Sequence, residues 1–176
     1  MKKILLIGSQ SNIFKEVISK ALGPFYNSNL LIAETDSLEG AEAFLKSCTC
    51  APLLVANNAP SEKIHALLGS LGQEGFLVVD NSNGIASELK EKGFSNFCTF
   101  GLEQGSDFLA SDVKINGGIN FKVNSKGSSI PFWLEKERGE EQVPAALAAA
   151  ALGSFLGFNL VEISQALKAP DKNQVS

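Results

Sequence analysis

The sequence predicts an α/β fold: a mainly parallel sheet with flanking helices, extended by a small antiparallel β-meander and two C-terminal helices. Three observations predict it. Over the first hundred residues, short apolar runs alternate with stripes of helical period, as expected for strands covered on both faces. At Gly105 the pattern changes to polar–apolar alternation, broken by Asn116-Gly117-Gly118 and Lys126-Gly127, which are tight-turn signals. An alanine-rich run, Ala145–Leu152, and a capped amphipathic segment then follow.

The strands predicted for the layer are Lys3–Ile7, Leu30–Ala33, Leu53–Ala56, Phe76–Val79 and Phe97–Phe100. Between them, Ile13, Phe14, Val17, Ile18, Ala21 and Leu22 mark one helical stripe, and Leu38, Ala41, Phe44 and Leu45 a second. Asp36 with Glu39 reads as the capping box of that second helix. A third helix follows Ser61, and a fourth carries Ile85 and Leu89. This makes a Rossmann-like layer. The meander is Asp107–Ile115, Ile119–Val123 and Ile130–Leu134. Pro144 suits the first turn of a helix that Gly157 stops, and Asn159 with Glu162 caps the last helix before Pro170. The expected organisation is one domain over 1–170: the layer at 1–104, the meander at 105–135, two helices at 143–169. The polar tail 171–176 is expected to fray.

A chain of 176 residues with 44% hydrophobic content is long enough to bury a core without metal or disulfides. Its net charge of −4 argues against a nucleic-acid or anionic-membrane surface, which needs clustered Lys and Arg. The apolar run after Met1-Lys2-Lys3 ends at Gly8, too short for export or for spanning a membrane. The expected location is cytoplasmic, where Cys48, Cys50 and Cys98 stay reduced. A C-x-C without a second pair is no zinc signature, and no metal site is assigned. His65, the one histidine, sits at the edge of an apolar stripe and reads as a boundary residue. No catalytic residue is assigned.

Thr99-Phe100-Gly101, the run Ser106–Val113, and Ala145–Leu152 with Gly157 together resemble the second half of the central domain of the Mur ligases. These are ATP-dependent acid–amino acid ligases of peptidoglycan precursor synthesis. The resemblance is nearest to the branch that adds D-alanyl-D-alanine to the UDP-linked muramoyl tripeptide, and it covers roughly the last hundred residues. The family implies a phosphate loop after the first strand, of the form G-x-x-G-K-[ST]. Its glycines let amides approach phosphate, its lysine pairs with the oxygens, and its hydroxyl binds magnesium. Here the residues are Gly8-Ser9-Gln10-Ser11-Asn12-Ile13-Phe14. Ser11 replaces the second glycine, Asn12 the lysine and Ile13 the hydroxyl. One charged hydrogen bond contributes roughly 1.5–3 kcal/mol, so losing the lysine weakens phosphate binding about tenfold to a hundredfold.

Other landmarks have changed too. The family's N-x-D-D after the fourth strand is Asp80-Asn81-Ser82-Asn83, and its G-x-H-N-x-x-N before the alanine-rich helix is Gly139-Glu140-Glu141-Gln142-Val143-Pro144-Ala145. Its magnesium-binding glutamate and carbamylated lysine have no place in the shortened middle segment. Domains before and after the central one are expected to be missing. A site that survived would lie in the crevice at the carboxyl ends of the strands: Gly8, Ser9, Ser11 and Asn12, with Asp80 and Asn83 opposite. Alternatively, these are ordinary loop residues, with Asn12 and Asn83 as caps or turn formers. No cofactor is firmly implied beyond weakly held ATP with magnesium. The implied partner is an active Mur ligase or another cell-wall enzyme. Two further readings stand: a nucleotide-binding fragment of a split Mur ligase, and an NAD(P) binder of short-chain-dehydrogenase type. The second is suggested by Ile4–Ile13 and Leu54–Ala59, but it lacks the fingerprint glycines and the Y-x-x-x-K pair.

Overall fold

The computed structural model describes residues 1–135 and 139–170. Its elements run β1 (Lys2–Gly8), α1 (Ser11–Tyr26), β2 (Leu30–Glu34), α2 (Leu38–Lys46), β3 (Leu53–Asn57), α3 (Ser61–Leu71) and β4 (Phe76–Asp80), then α4 (Ile85–Glu91) and β5 (Phe97–Gly101). β6 (Phe108–Ile115), β7 (Ile119–Ser125), β8 (Ser128–Leu134), α5 (Gln142–Phe155) and α6 (Leu160–Lys168) complete them. The expected fraying at 171–176 lies outside the described residues.

All eight strands join one sheet in the order β2-β1-β3-β4-β5-β6-β7-β8. The meander is continuous with the layer, because β6 pairs parallel to β5 through Phe100↔Phe108 and Gly101↔Leu109. β7 and β8 then add antiparallel. The order β2-β1-β3-β4-β5 differs from the 3-2-1-4-5-6 order of classic dinucleotide-binding sheets, which removes the topological support for the short-chain-dehydrogenase reading. The strand order reverses between β1 and β3.

Why the β1, β3 and β4 runs are apolar without a break is visible in the packing. Successive side chains enter two different cores. Ile4, Leu6, Val55 and Val78 face α1, α5 and α6, whereas Leu5, Ile7, Leu54 and Val79 face α2, α3 and α4. α5 is buried on nearly every side, with Ala145 through Ala150 fully covered. Its small side chains let α1, α6 and the sheet close around it. The helix ends as its sequence predicts: Gly157 (φ 95°) leaves the helix left-handed, and the Gly157 and Phe158 amides donate to the Ser154 and Gly153 carbonyls. Asn159 and Glu162 form the predicted capping box on α6.

Two local expectations need correction. α2 is capped by Ser37, whose hydroxyl accepts from the Gly40 amide at 2.9 Å, and not by Asp36, which stands one residue too early. Leu38, placed in the buried stripe, is the first residue of α2 and is 40% exposed.

Candidate functional site

The predicted crevice begins where β1 ends. Only Ser9 and Gln10 connect β1 to α1. Gly8 adopts φ 98°, and a Cβ there would sit 2.0 Å from the Asn57 carbonyl oxygen. That carbonyl accepts the Ser9 amide at 2.9 Å, while the Asn57 carboxamide donates back to the Ser9 carbonyl at 3.1 Å. The turn is therefore stitched to the end of β3. Gln10, left-handed at φ 58°, presents its carbonyl to both the Ile13 and Phe14 amides. Ser11, the first residue of α1, spends its hydroxyl on the Gly8 carbonyl at 3.2 Å. Ile13 packs partly buried against the margin of the core beside Phe14, so the position matching a magnesium-binding hydroxyl carries an apolar side chain.

Among the described residues, the Gln10, Ser11 and Asn12 amides have no acceptor, at the amino end of α1. The Ser9 amide is committed. A two-residue turn bonded to its neighbour cannot encircle a phosphate as a longer glycine-rich loop does.

The facing side is a strut. Asp80, at the end of β4, accepts the Asn58 amide at 2.8 Å on one carboxylate oxygen and the Ser82 hydroxyl on the other. Asn81 donates its amide to the Phe100 carbonyl at 2.8 Å and its carboxamide to the Ser106 hydroxyl at 3.2 Å. Of the six predicted residues, the fold gathers Gly8, Ser9 and Ser11 into one knot and ties Asp80 to it through Asn57-Asn58. Asn12 lies apart, in the wall of a cleft of about 730 Å³ beside α1, with Lys15, Glu34 and Gln142. Asn83 is exposed, left-handed at φ 54°, and makes no side-chain bond among the described residues. It forms a turn with Gly84 ahead of α4.

Sequence reasoning passed over Asn57, the residue that closes the site. The signal was available: two consecutive asparagines end an apolar strand, where left-handed turns and carboxamide bonds to backbone concentrate. Gln142 is a second such residue. It is 8% exposed, and its carboxamide donates to the Glu135 carbonyl at 2.6 Å and the Gly139 carbonyl at 3.4 Å. An amide side chain thus stands at the start of the alanine-rich helix, bonded to the Glu135 and Gly139 carbonyls. His65 lies elsewhere, its Nε2 2.8 Å from Glu88 Oε2 and its Nδ1 buried with no partner among the described residues.

Comparison with known proteins places this geometry. A stretch of 94 residues, 52% of the chain, is 38% identical to a UDP-N-acetylmuramoyl-L-alanyl-D-glutamate–2,6-diaminopimelate ligase of Alkaliphilus oremlandii, of which it covers 19%. Over that stretch the chain is similar in sequence to a Mur ligase. Its fold is that of the Mur ligase central domain. MurF from Acinetobacter baumannii superposes over 97% of the chain with a TM-score of 0.79 at 17% identity, covering 46% of that protein. MurF from Thermotoga maritima in complex with ADP superposes over 93% with a TM-score of 0.70 at 15% identity, covering 48%. The chain therefore spans about half the length of those structures and about a fifth of the curated relative. No family model matches it. The sequence match and the fold matches fall on different ligase branches, so they do not fix one branch.

Proposed function

We propose that this Mur-ligase-like domain is a non-catalytic binding or regulatory partner in peptidoglycan precursor synthesis. One observation carries the reading: the turn that would hold a nucleotide phosphate is bonded to Asn57 and lacks both the lysine and the magnesium-binding hydroxyl. The scaffold is kept, while the turn lacks the side chains that would hold phosphate and magnesium. The implied partner is an active Mur ligase or another enzyme of the same route.

Thermal unfolding with and without magnesium-ATP tests this, with UDP-sugar precursors and NADPH in parallel. A ligand at a hundred times its dissociation constant adds about 2.7 kcal/mol, several degrees for a domain of this size. The expected result is no shift with millimolar magnesium-ATP, together with recovery of a cell-wall enzyme on copurification from native cells. A clear ATP-specific shift overturns it. That result would support the second reading, a nucleotide-binding part of a split ligase, which the likeness to an ADP-bound MurF favours. Adding the complementary ligase domains should then yield ADP and an amide product.

A further inference from the structure

At the amino end of the sheet, opposite the crevice, lies a second cavity of about 590 Å³. This is within the roughly 300–1,000 Å³ typical of small-molecule sites. Its walls are aromatic: Phe76 and Phe155 stack with centroids 4.0 Å apart and planes 9° from parallel, and Phe97 and Phe108 complete them. Phe155 is 40% exposed, an unusual amount of ring to leave in water beside a ready-made apolar hollow.

Two opposite charges, Asp107 and Lys126, line the same cavity. The β6–β7 ladder, through Ala110↔Val123 and Leu109↔Asn124, extrapolates to Asp107 facing Lys126. Yet no ion pair joins them among the described residues. The carboxylate is fixed from behind: its Oδ2 accepts the Thr99 amide at 2.8 Å and hydroxyl at 3.1 Å, and its Oδ1 has no partner among the described residues. The ammonium is carried on a two-residue turn, Lys126-Gly127, closed by Ser125↔Ser128. Both turn residues are left-handed, at φ 50° and 79°, so asparagine or glycine would be the favoured occupant of position 126. A lysine held there against backbone preference, facing an unpaired carboxylate, points to a ligand that bridges the two.

We propose that this cavity binds a free α-amino acid with a large apolar side chain, its carboxylate on Lys126, its ammonium on Asp107 and its side chain among the phenylalanines. The inference is independent of the proposed function. Cys98 closes the floor as an apolar wall: burial, the first cause, and then the Asp107 charge push its thiol up to about 12, so it stays protonated and unreactive.

Isothermal titration with L-phenylalanine, phenethylamine and 3-phenylpropanoate tests the site. L-Phenylalanine should bind, and each analogue, lacking one charge, should bind about tenfold to a hundredfold more weakly. Lys126→Gly suits the turn better than the native residue, so it should keep or raise the melting temperature while weakening phenylalanine binding to the same degree. Asp107→Asn, which can still accept from Thr99, should do likewise. No binding of phenylalanine at millimolar concentration, equal binding of either analogue, or unchanged affinity in Lys126→Gly overturns the proposal.

Discussion

Gly8 shows how one residue can decide the fate of a site. Its φ of 98° and the 2.0 Å approach of a would-be Cβ to the Asn57 carbonyl mean that only glycine fits there. The same glycine that in a nucleotide loop lets backbone approach phosphate here lets backbone approach backbone. Gly8→Ala should cost roughly 2–4 kcal/mol in urea unfolding, combining backbone strain with a steric clash. Gly84→Ala, at φ 71° with open space around it, should cost only about 1 kcal/mol. Cys98 supplies a pH dependence. Its thiol is held up to about 12 from 9.0 by burial, then by the Asp107 charge. Because the folded pKa is the higher one, this contribution is complete below pH 9 and is lost as pH rises from 9 towards 12. The wild type should therefore lose stability over that range by up to about 4 kcal/mol more than Cys98→Ala. Melting temperatures of the two proteins between pH 8 and 11 check this.

At the scale of elements, helix ends were legible wherever the cap is a side chain with one geometric option. Asn159 accepts the Glu162 amide at 2.9 Å and Glu162 accepts the Asn159 amide at 2.9 Å. Asn159→Ala should cost about 1 kcal/mol, read as a lowered denaturation midpoint with unchanged slope. The α2 cap was misassigned because Asp36 and Ser37 both fit the cap chemistry, and only the path of the chain out of β2 chooses between them. The two sheet edges differ in a way that matters for association. β8 is blunted by Pro131, which has no amide hydrogen and whose carbonyl accepts the Ser164 hydroxyl at 2.7 Å. β2 carries the apolar Leu30–Ala33 run and has a neighbour on one side only.

For the whole molecule, the question is whether introducing the residue types of a phosphate loop would create nucleotide binding. Ser11→Gly, Asn12→Lys and Ile13→Thr together rewrite the G-x-x-G-K-T pattern, yet the turn between β1 and α1 would still be two residues long and bonded to Asn57. The triple variant should therefore gain little magnesium-ATP binding, and losing the partly buried Ile13 side chain should lower its melting temperature slightly. Calorimetric titration with ATP, alongside the melting curve, checks both. A variant that binds ATP tightly would show that side-chain chemistry, not backbone path, closed the site. The sequence alone determined the alternation of strands and helices, the meander, both C-terminal helix ends and the erosion of the phosphate loop, because periodicity, turn residues and caps act over a few neighbouring positions. Tertiary structure alone decided that β6 joins the sheet at β5, that Asn57 seals the turn after β1, and that Asp107 and Lys126 share one cavity. Each of these depends on contacts between segments whose relative position is set by burying a common core, and no local pattern encodes which backbone group will stand opposite another.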